Sequence, residues 1–278
     1  MAMTTQALIE SPLIESTDAR GVRTLLLNRA DRHNAFDDAL IRELTAALAR
    51  IAADDAVRLV VLRSTGRSFS AGADLEWMRR MADNTHEENI ADAGALATML
   101  HALDRLPKTV IGLIQGPAYG GGVGLVACCD VAIAADRASF CLTEIKLGLT
   151  PATISPFVVN AIGARQARRY FSTAEVIPAA RAREIGLVHE VVPDAELDAA
   201  GEAVIAAALL GAPGARAAAK DLVFLCEGRA VDEALGAETG RRIAERRASA
   251  EGREGIAAFL DKRPPAWRQE GRQEGQQG

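Results

Sequence analysis

The chain has 278 residues, 49% of them hydrophobic and 25% charged, with a formal net charge of −5. That length supports one large core, or a core with a smaller appendage. The acidic balance leaves no basic stripe to neutralise phosphates, which argues against nonspecific nucleic-acid binding.

The N-terminal "MAMTTQALIESP" lacks a basic start, an apolar block and a small-residue cleavage site, so a cytoplasmic protein is expected. "GVRTLLLN" (21–28) and "VRLVVLRS" (57–64) are Leu- and Val-rich runs of strand length. Between them, "FDDALIRELTAALARIAADD" carries apolar residues at helical spacing after an acidic start. "GRSFSAGADLEWMRRMAD" reads as a polar turn leading into a helix, and "ENIADAGALATMLHALDRLP" as a long amphipathic helix ended by Pro107. "TVIGLIQG" is a third buried strand, "GGVGLVACCD" begins a helix, "VAIAAD" is a short strand, and "ASFCLTEIKLG" is a strand and turn. Strands alternating with helices predict an α/β core with buried, largely parallel pairing.

The uncharged run from Thr109 to Cys129 approaches membrane-span length, but it holds six glycines, Pro117 and Gln115, so strand, loop and buried helix are expected there. From about Ala195 onward helix follows helix, and the tail "RQEGRQEGQQG" has no apolar residue to bury and is expected to be disordered. Four cysteines, Cys128, Cys129, Cys141 and Cys226, lack CxxC spacing and sit among apolar residues; all are expected to be buried thiols. His33, His86, His101 and His189 lack metal-ligand spacing, and no metal is expected.

Two glycine-rich turns fall where a strand gives way to a helix: "SAGAD" (70–74) and "YGGGVG" (119–124). Each would point unpaired backbone N–H groups at one place, and a helix N-terminus adds a field favourable to negative charge. Two such donors make an oxyanion hole. Tight turning or close helix packing would use the same glycines. A dinucleotide fingerprint is disfavoured, because "GGGVG" lacks the GxGxxG spacing.

Six ordered stretches, "LLLNRADRHNAF", "RSFSAGADLEWM", "IQGPAYGGGVGLVACCDVAIAAD", "FCLTEIKLGLTPATISPFVV", "AREIGLVHEVVP" and "GREGIAAFLDKRPPAW", resemble the landmarks of the enoyl-CoA hydratase/isomerase (crotonase) family. The resemblance implies an α/β crotonase-like spiral of ββα repeats over residues 1–200, with the CoA-thioester site. It implies a helical C-terminal trimerisation subdomain over 201–267, a disordered tail over 268–278, and a homo-trimer or homo-hexamer. It also implies an acyl-CoA thioester substrate whose enolate the protein stabilises; coenzyme A belongs to that substrate and no separate cofactor is expected.

Carried over by residue, the resemblance makes the backbone N–H groups of Ala73 and Gly121 the oxyanion hole, with Ala71, Gly72, Asp74 and Gly120 around the thioester. Relatives with two catalytic glutamates have the first where this chain has Gly124; the second is Glu144, the expected catalytic carboxylate. Gly in place of the first glutamate is similar to bacterial hydratases of branched glutaconyl-CoA thioesters, of the 3-methylglutaconyl-CoA and isohexenylglutaconyl-CoA type. Such substrates bring a distal carboxylate, for which Lys146, Arg79, Arg80, Ser155 and Asn160 are candidate partners. Arg29, Arg32 and Lys262 stand where relatives meet the nucleotide, while Glu76 departs from a lysine common there. A double-bond isomerase using Glu144 alone, a thioester hydrolase and a non-catalytic acyl-CoA binding subunit share these features.

Overall fold

The computed structural model describes residues 11–269. Strands β1 (Leu13–Thr17) and β2 (Val22–Leu27) form an antiparallel hairpin, and helix α1 (Asp38–Ala53) crosses to β3 (Leu59–Ser64), which lies parallel to β2. Asp37 starts α1 by accepting a hydrogen bond from the Leu40 N–H, and Leu40, Ile41, Leu44, Ala47, Leu48 and Ile51 form its buried stripe. Helices α2 (Leu75–Met81) and α3 (His86–Asp104) follow, then β4 (Thr109–Ile114), the short β5 (Ala118–Tyr119), α4 (Gly121–Ala127), β6 (Val131–Ala135) and β7 (Ser139–Cys141). A kinked helix α5 (Ser155–Thr173), β8 (Ile177–Pro178), α6 (Ala179–Glu184) and β9 (Glu190–Val192) complete the sheet region.

The main sheet has the order β1-β2-β3-β4-β6-β9, parallel except for β1, and a second sheet has the order β5-β7-β8. Alternation along β3 sends Val60 and Leu62 to one core and Leu59 and Val61 to the other, so the sheet is covered on both faces. Helix α7 (Leu197–Leu209) seals the second face through Leu197 and Ile205. The run from Thr109 to Cys129 is strand, turn and helix, as its glycines predict, and among the described residues no helix is long and apolar enough to cross a membrane.

After α7 come α8 (Pro213–Cys226), α9 (Glu233–Ala248), α10 (Ala250–Leu260) and the short α11 (Ala266–Gln269). Ser249 is extended and caps α10 through the Gly252 N–H, which divides one helical run of sequence into two helices. Residues 270–278 of the expected tail lie outside the described residues. Helix α3 departs from its expected amphipathic character. Only Met99, Leu100 and Leu103 near its C-terminus are buried, because its first two-thirds stand beside the cavity described below rather than on the core.

The sheet region matters for function because it presses α4 against the segment before α2. A Cβ on Gly122 would stand 2.6 Å from the Ser70 carbonyl oxygen, a backbone atom that cannot swing aside. Gly122→Ala is therefore expected to cost about 1–3 kcal/mol of stability and to lower the midpoint of thermal unfolding measured by circular dichroism; an unchanged midpoint would mean that this contact is loose.

Candidate active site

Backbone hydrogen bonds bring the two glycine turns together. Phe36 N–H donates to the Gly72 carbonyl (2.6 Å) and Asp74 N–H to the Phe36 carbonyl (2.7 Å), bracketing Ala73. On the other side, Phe69 N–H donates to Pro117 (2.9 Å), Tyr119 N–H to Ser70 (2.8 Å) and Gly120 N–H to Cys141 at the end of β7 (2.9 Å). Gly120 takes φ of +50°, which lets the chain reverse into α4 without a Cβ in the way. Through all this, the N–H groups of Ala73 and Gly121 find no acceptor among the described residues.

Both residues line a cavity of about 460 Å³, and Glu144 lines it too. Glu144 opens the 3₁₀ turn Glu144–Leu147, and its Oε1 lies 3.4 Å from where a Cβ on Gly120 would sit. The other oxygen, Oε2, is buried and has no hydrogen-bond partner. Burial pushes the carboxyl above the ordinary range, with its own backbone N–H pulling the other way. A carboxyl with raised proton affinity and an unused oxygen in a cavity is equipped to exchange protons.

The cavity walls are mostly hydrocarbon. Phe36, Trp77, Met78 and Met81 stand on one side, and Asn89, Asp92, Ala93 and Leu96 of α3 stand on another, at the spacing of a single helical face. Thr143, Thr150, Thr153 and Ile154 close it from the segment before α5. Of these, Asn89, Asp92 and Ile154 carry no motif that singles them out in sequence. Their spacing on α3, or the apolar residue just ahead of α5, becomes a signal only once the helices are placed.

The structure brings Ala71, Gly72, Ala73, Gly120, Gly121 and Glu144 to one cavity, and it leaves the other expected site residues outside that lining. Asp74 is buried and caps α2, accepting from the N–H groups of Glu76 and Trp77. Burial alone would raise its pKa, but those N–H groups and the Arg32 guanidinium outweigh it and hold the carboxyl below its usual range. Arg29 pairs with Asp37 (2.8 Å) and Asp74 (3.5 Å), and Arg32 with Asp74 (3.2 Å) and Glu76 (2.8 Å). Both arginines expected at the nucleotide are thus engaged by carboxylates of the chain. Arg29 is also only 12% exposed, which leaves it little to offer a phosphate.

Lys146 and Arg79 are exposed, and Arg80 pairs with Asp38 at 2.7 Å. Ser155 bonds to the Ala152 carbonyl, and Lys262 is exposed just after α10. Gly124 is buried inside α4, where a Cβ would come within 2.5 Å of Ile154 Cγ2, so it meets protein rather than substrate. Cys226 is exposed, against the expectation that all four thiols are buried, because α8 ends at the surface there.

Asn160 belongs to a second, larger cavity of about 630 Å³, which also holds Cys128, Cys129, Asp130, His189 and Lys220. Its polar groups are largely spent on structure. Asp130 accepts from Lys220 (2.9 Å) and from the Val110 N–H (2.8 Å), and His189 Nδ1 accepts from the Ala132 N–H (3.0 Å). Burial pushes the Cys129 thiol up to about 12, so it stays protonated. Among the described residues, no group of three His, Cys, Asp or Glu side chains is placed to hold a metal ion.

A doubly covered, mostly parallel sheet with a helical C-terminal region, and a cavity beside two glycine turns, define a crotonase-like α/β fold. The chain belongs to the enoyl-CoA hydratase/isomerase family, whose model matches residues 17–271. A putative enoyl-CoA hydratase of Thermus thermophilus is 32% identical over 249 residues, covering 88% of this chain and 96% of that protein. A crystal structure of an enoyl-CoA hydratase from Shewanella pealeana superposes with a TM-score of 0.91 at 43% identity, covering 96% of this chain and all of that one. A 4-chlorobenzoyl coenzyme A dehalogenase of an Arthrobacter species is 34% identical over 203 residues, 72% of each chain. The chain is therefore an enzyme of the enoyl-CoA hydratase/isomerase type, acting on CoA thioesters.

The environment of Glu144 has a consequence for stability. A folded-state pKa above the unfolded value means that the ionised form burdens the native state at high pH, and that the burden lifts as pH falls through the raised value. Glu144→Gln removes the charge. The variant should melt at or above the parent temperature at pH 7, and its advantage should shrink as pH is lowered toward the ordinary carboxylate value of 4.5 in a pH series of thermal melts.

Proposed function

We propose that the chain hydrates a 2-enoyl-CoA thioester, with Glu144 as its acid and base and the N–H groups of Ala73 and Gly121 as its oxyanion hole. The observation that carries this reading is that two backbone donors without acceptors share one cavity with the unpartnered Oε2 of Glu144. The thioester oxygen accepts from both N–H groups. Water held at Glu144 gives a proton to the carboxylate as its oxygen bonds to the β-carbon, and the displaced electron pair moves to the thioester oxygen. The same carboxyl then returns the proton to the α-carbon. Each fixed N–H contributes about 3 kcal/mol to the stabilisation of the developing oxyanion. No step calls on a cofactor.

A branched glutaconyl-CoA substrate is the finer form of this proposal and rests on the resemblance around Gly124. The side-chain donors available to its distal carboxylate in the wall are Trp77, Asn89, Thr143, Thr150 and Thr153, while the charged lining residues, Glu144 and Asp92, are both acidic. Neutral amide, hydroxyl and indole N–H groups of this lining would receive that carboxylate. The single carboxylate at the reacting end also suits a double-bond isomerase, which needs one proton carrier between C2 and C4. For assembly we propose a homo-trimer or homo-hexamer built on the C-terminal helices, because Ile243, Ile256, Phe259 and Leu260 there are exposed in the single chain.

Glu144→Gln should lower turnover by roughly 100-fold to 10,000-fold while thioester binding persists; near-normal turnover would remove Glu144 from the mechanism. Gly121→Pro deletes one donor but also adds a Cβ about 3.1 Å from the Phe36 ring, so Gly121→Ala serves as the steric control. Turnover should collapse in the proline variant well beyond the alanine variant. Mass detection of products from crotonyl-CoA, 3-enoyl-CoA and 3-methylglutaconyl-CoA separates the readings: a gain of water marks a hydratase, migration of the double bond alone an isomerase. Preference for the glutaconyl thioester over crotonyl-CoA by tenfold or more supports the finer form, and equal rates reject it.

A further inference from the structure

Ile154 joins the active-site cavity to Gly124 of α4, a glycine outside the cavity lining. It is 1% exposed, stands immediately before α5 and lines the cavity. Its Cγ2 lies 2.5 Å, and its Cβ 3.0 Å, from the position a Cβ on Gly124 would take, with Leu100 Cδ2 at 3.4 Å behind. The missing side chain at 124 is therefore filled by the Ile154 branch, which has moved in against the bare helix.

Gly124 follows Gly121 by three residues, so it lies on the same helical face, about 4.5 Å farther along the axis. Glu144 stands at the other end of this stretch, against Gly120. With the thioester oxygen at the Gly121 N–H, the β-carbon lies two bonds beyond the carbonyl carbon, between the Glu144 carboxyl and the hydrocarbon of Ile154. We infer that Ile154, seated on Gly124, is the specificity-determining residue for the substituents on the acyl β-carbon.

This inference rests on the thioester site proposed above. Two consequences follow from it. The side chain of Ile154 offers neither a proton nor a hydrogen-bond partner for water, so the face of the cavity it covers takes no part in proton transfer. The space beside the β-carbon is set by one branched aliphatic side chain, whose truncation should make room for one more methyl group.

The test measures binding of two saturated, unreactive thioesters to the full-length protein by calorimetry: butyryl-CoA, and isovaleryl-CoA with its extra methyl on the β-carbon. Ile154→Ala should shift the ratio of the two dissociation constants toward isovaleryl-CoA by roughly 10-fold, and Ile154→Val should shift it the same way by less. If Ile154→Ala does not fold, the valine variant alone decides. A ratio within twofold of the parent in a folded variant overturns the inference. If the parent binds neither thioester, the thioester site falls and the inference with it. If both bind and the ratio shifts while no enoyl thioester is turned over, the hydratase reading fails and the role of Ile154 stands.

Discussion

Everything at this site depends on a short lattice of backbone hydrogen bonds. Phe36 to Gly72, Asp74 to Phe36, Tyr119 to Ser70 and Gly120 to Cys141 tie four separate segments together. None of these bonds involves a side chain, and each satisfies a polar group that would otherwise be costly to bury. The lattice consumes the neighbours of Ala73 and Gly121 and leaves the N–H groups of those two cavity-lining residues over. The parallel sheet supplies the rigidity, since β3 and β4 end just before the segments that carry the two turns. Donors fixed this way need no reorganisation when charge develops in front of them.

Glu144 shows the cost of placing chemistry in such a frame. Its Oε2 is one of the few buried polar side-chain atoms among the described residues without a partner, and an unsatisfied buried charge weakens the native state. Asp74 and Asp130 make the contrast. Asp74 is buried and Asp130 half-buried, yet each accepts hydrogen bonds from backbone and from a cation, and so serves the fold. Burial raises the carboxyls of Asp104 and Asp130 as well, so what sets Glu144 apart is the oxygen left without a partner in the cavity.

Much of the fold was legible because period and punctuation survive in the sequence. The stripe of α1, the apolar runs of β3 and β4, and the glycines that break a false membrane span each follow from a local rule. The edge strand β1, the two-residue strands β5 and β8 that flank β7 and the kinked α5 were not legible, since short strands and a helix interrupted at Gly163 carry weak periodicity. In the site, backbone donors could be read because glycine-rich turns advertise them. The arginines could not: Arg29 and Arg32 look free in "NRADRHNAF", and only folding brings Asp74 and Glu76 beside them. Gly124 was the hardest residue to interpret. In sequence it reads as an absent acid, and in space it is the seat of Ile154, thirty residues away.

That distinction bears on how one fold serves several reactions. The proposed oxyanion donors are backbone groups, which side-chain replacement leaves in place unless the new residue is proline. The groups proposed to choose the reaction, Glu144 and Ile154, are side chains that can change independently of the lattice. Proteins named as a putative hydratase and as a dehalogenase share this chain's sequence at 32% and 34% identity. On that reading the donors belong to the backbone of the fold, and the chemistry is decided by the side chains that stand opposite them.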